Sequence, residues 1–236
     1  RVSSELIVAS EDIKEELTRR HSSPHRIHVI RNCVDTSEFF PIQDKPALRA
    51  RLGLPVAKKI VGFTAPRTFT PNIMAIRLLH RVSSILERRF PDILFLILGG
   101  GKIPHGVRPG NVEYTGFVND LNLYLNACDL ALAPYPSLAV CGGPRNKVLE
   151  YWASGLPLVS TPEGLRGFTY LGRRVPAMVA AYDPESIANA IEGLAKDAVL
   201  ARELGEQARA LAIAEYSWGS EAQTLYGILE GCASKG

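Results

Sequence analysis

The apolar residues of this chain fall into two patterns. One is a set of short, almost unbroken apolar runs, Lys59–Thr64, Ile93–Leu98, Leu130–Ala133 and Leu158–Thr161. Runs of that length between turn-forming residues predict strands covered on both faces, as in a parallel sheet. Glu5–Ser10, the alternating Arg26–Arg31, Val112–Thr115 and Val175–Ala180 add further strand-like segments. The other pattern has apolar residues at helical spacing. It predicts helices over Glu11–Arg20, with Ser10 as N-cap, and over Asn72–Arg89, Asn119–Ala127 and Pro144–Ala153. Pro184–Lys196, Leu200–Tyr216 and Trp218–Leu229 predict a helical tail, charged on one side and rich in alanine and leucine on the other. Strands alternating with helices imply right-handed crossovers. The expected fold is α/β, a doubly wound parallel sheet with a helical C-terminal tail. Between the second strand and the regular region lies Asn32–Asp44, NCVDTSEFFPIQD, rich in turn formers. It reads as a linker between lobes, with Phe39 and Phe40 packed at the hinge.

Composition narrows the functional classes. With 236 residues, 46% hydrophobic and 22% charged, the chain can bury a large core as an ordinary globular protein. A net charge of +3, with no Lys/Arg stripe interleaved with aromatics, argues against a nucleic-acid partner. The densest basic cluster, Arg19, Arg20, His21, His25 and Arg26, reads first as a solvated helix end and loop. Peripheral contact with an anionic membrane is its minority reading. Cys33, Cys128, Cys141 and Cys232 form no CxxC pair, and the histidines show no ligand spacing with them, so no metal is expected. Scattered thiols fit a reducing, cytoplasmic setting. No apolar run is long enough to span a bilayer. Arg1 leads almost directly into the apolar Leu6–Ala9 without an initiator Met, and the chain reads as cut from something longer.

In open α/β sheets, ligands bind beyond the carboxyl ends of the strands. That rule nominates the loops Ala65–Pro71, Gly99–Pro104, Gly116–Asp120 and Pro134–Gly143. The richest stretch begins inside the last of them: Cys141–Thr161, CGGPRNKVLEYWASGLPLVST. Pro144 suits a first helical position. Gly142 and Gly143 allow close backbone approach by a ligand, and the helix start favours an anion. Lys147 and Glu150 share a helix face. A cation and a carboxylate there suit a phosphate-plus-hydroxyl ligand such as a nucleotide diphosphate sugar; a surface ion pair on an ordinary crossover is the bland alternative. Arg67 sits where a guanidinium can clamp a diphosphate, or is an exposed loop arginine. Asn72 is explained by helix capping alone. Gly99–Gly101 lacks the spacing of a phosphate-binding loop and needs only positive φ. Gly116 and Phe117 either present backbone groups to a nucleobase edge or form a turn before the cap Asn119–Asp120.

These segments together resemble the carboxyl half of GT-B glycosyltransferases, in particular the retaining group called family 4. Arg26–Pro41, RIHVIRNCVDTSEFFP, is similar to the family's interdomain segment; VGFTAPRTFTPN to its first carboxyl-domain strand and basic loop; FLILGGG and VEYTGFVNDLNLYLNACDLALAPY to the next strands; KVLEYWASGLPLVST to its glutamate motif; and EYSWGSEAQTLYGIL to its closing helix. The resemblance implies two Rossmann-like lobes and a UDP- or GDP-linked sugar donor held mainly by the carboxyl lobe, with no cofactor or metal. It assigns Arg67 and Lys147 to the diphosphate, with Arg145 as a substitute, and Glu150 to the ribose; Gly116, Phe117, Gly142, Gly143 and Asn146 join the donor-binding set. The family's first motif glutamate falls on Gly142, so Gly142 and Gly143 would act through backbone N–H groups. The implied organisation is residues 1–40 as the end of an amino lobe and linker, 41–215 as the nucleotide-sugar-binding domain, and 216–236 as a helix packing back toward the amino lobe. The implied activity is sugar transfer to a carbohydrate or lipid-linked acceptor, with the rest of the amino lobe missing and this chain inactive alone. A nucleotide-sugar epimerase or phosphorylase of the same fold, and a non-catalytic nucleotide-sugar-binding partner module, remain the alternatives.

Overall fold

The computed structural model describes residues 5–20, 26–66, 68–101, 110–137, 143–168 and 174–233. Two sheets are present among the described residues. The smaller is a parallel pair, β1 (Leu6–Val8) and β2 (Ile27–Val29), joined by α1 (Glu11–Arg20). The larger holds β3 (Lys59–Thr64), β4 (Ile93–Leu98), β5 (Val112–Gly116), β6 (Leu130–Ala133), β7 (Leu158–Ser160) and β8 (Met178–Val179). Its strands are all parallel, in the order β5-β4-β3-β6-β7-β8. The chain therefore steps outward from β3 in one direction, then returns to β6 and steps outward in the other. With right-handed crossovers, that reversal places α3 (Thr70–Arg89) on one face and α4 (Leu121–Ala127) and α5 (Asn146–Ala153) on the opposite face. It also opens a crevice between the carboxyl ends of β3 and β6, where strand direction of travel switches.

The apolar runs form the sheet because both faces are covered. Every residue of β4 and β6 is buried. Helix α6 (Pro184–Lys196) packs beside α3, and α7 (Ala198–Glu215) beside α5. Burying each Leu, Ile or Phe side chain contributes about 1.5–3 kcal/mol, so this covering holds the sheet. The final helix, α8 (Trp218–Ala233), buries only Glu221 among its residues; Trp218, Tyr226 and Leu229 are exposed. Glu221 accepts from the backbone N and Nη1 of Arg31, which ties α8 to the segment after β2. Among the described residues no helix is long and apolar enough to cross a membrane.

Several local expectations need correction. A short helix, α2 (Lys45–Arg51), follows the interlobe segment, started by Asp44, whose carboxylate accepts from Ala47 N at 3.1 Å. Seven residues with a proline in the first turn carry too little periodicity to reveal it. Ser10 precedes α1, but its hydroxyl is buried with no hydrogen-bond partner within the described residues, so it does not cap. Helix α5 begins at Asn146, not Pro144, which lies outside the helix start. Asn72 is inside α3, whose cap position is Phe69. Phe39 is packed in the core as expected, whereas Phe40 is 42% exposed.

Candidate functional site

The crevice at the switch between β3 and β6 is a hollow of about 470 Å³, within the range of small-molecule sites. Residues after β3 (Thr64, Pro66, Phe69, Asn72), after β6 (Tyr135), and from the approach to α5 and its first turns (Gly143 to Lys147, and Glu150) line it, with Asn32 from the interlobe segment. The end of β3 fixes the geometry. Thr64 is its last residue, and α5 supplies partners for both backbone groups of Thr64. Its N–H donates to the Tyr151 hydroxyl at 2.7 Å, and its carbonyl accepts from Lys147 Nζ. Lys147 and Tyr151 are one turn apart on α5, so the helix docks on the strand end through a pair of i, i+4 side chains. The Thr64 hydroxyl is buried, with no partner within the described residues, which is uncommon outside functional or wet sites.

Lys147 points into the crevice. Besides the Thr64 carbonyl, its ammonium donates to the Tyr135 hydroxyl at 2.6 Å and to Asn72 Oδ1 at 3.1 Å. Asn72 in turn donates to the Pro66 carbonyl at 2.8 Å and accepts from the Tyr135 hydroxyl at 2.7 Å. Asn72 therefore bridges the loop after β3 to Lys147, a role unrelated to capping. Glu150, half-buried one turn along α5, makes no side-chain hydrogen bond within the described residues. Burial pushes its carboxyl above the ordinary value; Lys147 opposes that shift and Glu38 adds to it. The site thus sets an ammonium beside a carboxylate that burial makes costly to ionise, at the start of a helix.

Arg145 is buried and differently engaged. Its Nη2 meets Glu163 at 3.2 Å, and its guanidinium carbon lies 3.8 Å over the Tyr135 ring. Glu163 also pairs with Arg166 at 2.9 Å. Asn146 is exposed at the rim of the hollow. Gly143 has φ +86, and a Cβ there would stand 3.2 Å from Ala9 Cβ and 3.5 Å from Ile13 Cδ1. Its bare face is thus turned toward the β1–α1 segment. The interlobe segment also reaches the site: Asn32 Nδ2 donates to the Pro144 carbonyl at 2.8 Å.

The sequence model of the family described as glycosyl transferases group 1 matches residues 58–197, more than half of the chain. The chain belongs to that family. A D-inositol 3-phosphate glycosyltransferase of Corynebacterium jeikeium (strain K411) is 25% identical over 95% of this chain and 56% of its own length. The chain thus spans little more than half of the curated relatives it matches. Among solved structures, Anabaena HepE in complex with UDP-glucose superposes with a TM-score of 0.77 at 18% identity, over 98% of this chain and 65% of that one. The C-terminal domain of the group 1 glycosyl transferase LpcC from Francisella tularensis is similar with a TM-score of 0.63 at 16% identity, over 78% of this chain and 99% of that domain. These likenesses show the fold, the doubly wound GT-B type.

Within this group 1 chain, the crevice brings together Gly143, Arg145, Asn146, Lys147 and Glu150 of the expected donor set. Gly116, at φ +75, and Phe117, 81% exposed, lie at the end of edge strand β5 and do not line the hollow. Asp120, just beyond, caps α4 by accepting from Leu123 N at 3.1 Å. Arg67 and Gly142 lie outside the described residues, as does Cys141. Gly99, with φ +128, lets the loop after β4 approach Pro66 N within 2.9 Å of where a Cβ would stand, so its glycine is structural. Sequence reasoning missed Tyr135, Asn32 and the bridging role of Asn72. Tyr135 stood in a nominated loop, two residues past an apolar strand, and a phenol placed there was the available signal. Nothing local marked Asn32, whose role comes from a contact across the fold.

Proposed function

We propose that this chain is the donor-binding half of a retaining glycosyltransferase and that the crevice between β3 and β6 takes a nucleotide diphosphate sugar, UDP- or GDP-linked. One observation carries the reading: Lys147 and Glu150, one helical turn apart, face a shared hollow at the switch point of the sheet. Lys147 and the start of α5 supply positive potential for a diphosphate. Glu150 supplies acceptor oxygens for ribose hydroxyls, the task an acidic residue performs in dinucleotide sites. Hydrogen bonding to the ribose would also satisfy a carboxylate that makes no side-chain hydrogen bond within the described residues. Arg67 is the second cation assigned to the diphosphate by resemblance. Arg145 contributes less directly, because Glu163 already pairs with it. Gly116 and Phe117 are the proposed neighbours of the base.

In the reaction, the bond between the sugar's anomeric carbon and the diphosphate oxygen breaks, a bond from that carbon to an acceptor hydroxyl oxygen forms, the hydroxyl proton goes to the departing diphosphate, and negative charge grows on that diphosphate as it leaves. The principal electrostatic task is to stabilise that charge, and Lys147 is placed for it. The acceptor, a carbohydrate or lipid-linked sugar, would meet the donor from an amino lobe, since HepE and the curated relatives extend well beyond the matched part. HepE was solved with UDP-glucose, which supports a nucleotide-sugar donor.

The test is thermal unfolding of the chain with UDP, GDP, UDP-glucose and a GDP-linked hexose. A ligand of the native state at a hundred times its Kd adds about 2.7 kcal/mol of stability. At least one nucleoside diphosphate should raise the melting temperature by several degrees, and inorganic phosphate should not. A flat response to all of them would overturn the reading.

A further inference from the structure

Tyr135 is held at every part. Its backbone N–H donates to the Thr161 hydroxyl at 3.1 Å, and its carbonyl accepts from that hydroxyl at 2.6 Å. Its ring meets Phe63 edge-on at 6.1 Å between centroids. The Arg145 guanidinium lies over its face at 3.8 Å. Its hydroxyl donates to Asn72 Oδ1 at 2.7 Å and accepts from Lys147 Nζ at 2.6 Å. The residue is 1% exposed. One partner satisfies a buried phenol; this hydroxyl has a donor role and an acceptor role, both within the candidate site. Phenylalanine would fill the same space and keep the same ring contacts, so packing does not explain the hydroxyl.

Lysine carries a compact charge on a flexible four-carbon stem, and its direction is set by acceptors around it. For Lys147 those include the Thr64 carbonyl, fixed by the end of β3, and Asn72 Oδ1. Asn72 is itself oriented from both sides, by its bond to Pro66 and by the proton it receives from Tyr135. The phenol therefore acts on the ammonium twice, directly and through Asn72. It also carries the guanidinium of Arg145, another cation of the crevice, on its face.

We propose that Tyr135 is a positioning residue for the diphosphate of the donor: its hydroxyl, with Asn72, fixes the positive charge of Lys147 at the wall of the crevice, where the leaving group gathers negative charge. This rests on reading the crevice as a nucleotide-sugar site. Tyr135 acts through Lys147 and leaves the base and ribose to other groups, so its loss should weaken binding of phosphates and spare binding of the nucleoside.

The experiment is calorimetric titration of the chain and its Tyr135→Phe variant with UDP, uridine, GDP and guanosine. Tyr135→Phe keeps the ring, the Phe63 contact and the Arg145 stack. Misplacing one charge-assisted hydrogen-bonding group should lower diphosphate affinity about tenfold, with nucleoside affinity unchanged, so the ratio of the two falls about tenfold. A structural role alone would move both affinities together, and an unchanged ratio overturns the proposal. Asn72→Asp is the second variant, nearly isosteric; its carboxylate would hold the ammonium back and should also lower the ratio. If Tyr135→Phe does not fold, an unchanged ratio in Asn72→Asp overturns the proposal. A wild-type chain that binds no nucleoside diphosphate overturns the donor-site reading and this one with it. Wild-type binding with unchanged ratios in the variants leaves the donor site standing and removes only the role of Tyr135.

Discussion

At the amino ends of β3 and β6, Asp129 accepts from Arg49 Nη2 at 2.6 Å, from Ile60 N at 2.7 Å and from Lys45 Nζ at 3.3 Å. At the carboxyl ends of the same strands, a carbonyl, an amide oxygen and a phenol hold Lys147, while Glu150 has no side-chain hydrogen bond within the described residues. The two carboxylates respond to burial in opposite ways. Burial alone would raise Asp129, but Lys45, the Ile60 amide and Arg49 outweigh it and hold the group below its ordinary value. Burial wins at Glu150, which is raised. The first arrangement closes on itself and stabilises the fold. The second carries a standing electrostatic cost that a hydroxyl-bearing ligand can relieve. Size does not separate the two ends: the hollow near Asp129, about 700 Å³, is the larger. Cations at both ends are held by acceptors, Arg209 by the carbonyls of Thr36, Phe39 and Ala153 as Lys147 is by its three; the difference lies in the carboxylates, Asp129 paired and Glu150 without a side-chain hydrogen bond within the described residues. What distinguishes a binding site here is how its charges are satisfied.

The most forceful way to break this contrast is Asp129→Ala. Removing the half-buried acceptor leaves the Ile60 amide unpaired and Arg49 with its backbone carbonyls alone, and should cost about 1–3 kcal/mol, read as a lower urea midpoint. Folded variant should keep wild-type affinity for nucleoside diphosphate. A loss of affinity with little loss of stability would reverse the roles assigned to the two ends. Next in size, Lys147→Ala should lower diphosphate affinity about 10- to 100-fold, the range for a charge-assisted hydrogen bond, measured by calorimetry, with a smaller loss of stability than Asp129→Ala.

Glu150→Gln sharpens the comparison through pH. A carboxyl raised in the folded state binds its proton more tightly there than in the unfolded chain. Stability is therefore lost as pH rises from the ordinary carboxylate value through the raised one. The glutamine variant escapes that loss. It should melt higher than wild type at neutral pH and no higher under acid conditions. Its affinity for a ribonucleotide should fall, while affinity for the 2′-deoxy form changes less. Asp129 carries the opposite sign, its stabilisation being lost as pH falls. The smallest expected effect is Phe117→Ser. At 81% exposure it should alter stability by no more than about 0.5 kcal/mol and lower nucleoside affinity about threefold through loss of an aromatic contact; unchanged affinity would remove Phe117 from the base site.

The sheet was legible because Lys59–Thr64, Ile93–Leu98 and Leu130–Ala133 are dense apolar runs, and their boundaries coincide with β3, β4 and β6. Short elements were less so. Helix α2 depends on Asp44 in a left-handed conformation and on packing against α4 more than on periodicity. The carboxyl-end loops were nominated by the topology rule alone, and Lys147 and Glu150 could be placed on one helix face from their spacing. The partners of Lys147 could not. Thr64, Asn72 and Tyr135 come from different crossovers, and only folding brings them to one ammonium. Asn72 shows the limit clearly: beside Pro71, a helix cap accounts for an asparagine fully, and the bridge to Lys147 leaves no local trace.

The most direct measurement is a crystal structure of this chain soaked with UDP or GDP, whichever raises its melting temperature more. The diphosphate should lie between the carboxyl ends of β3 and β6, within hydrogen-bonding distance of Lys147 Nζ, with the ribose hydroxyls on the Glu150 carboxylate. Nucleotide density in the hollow beside Asp129 and Arg209, or Lys147 and Glu150 left untouched by a bound nucleotide, would contradict the account.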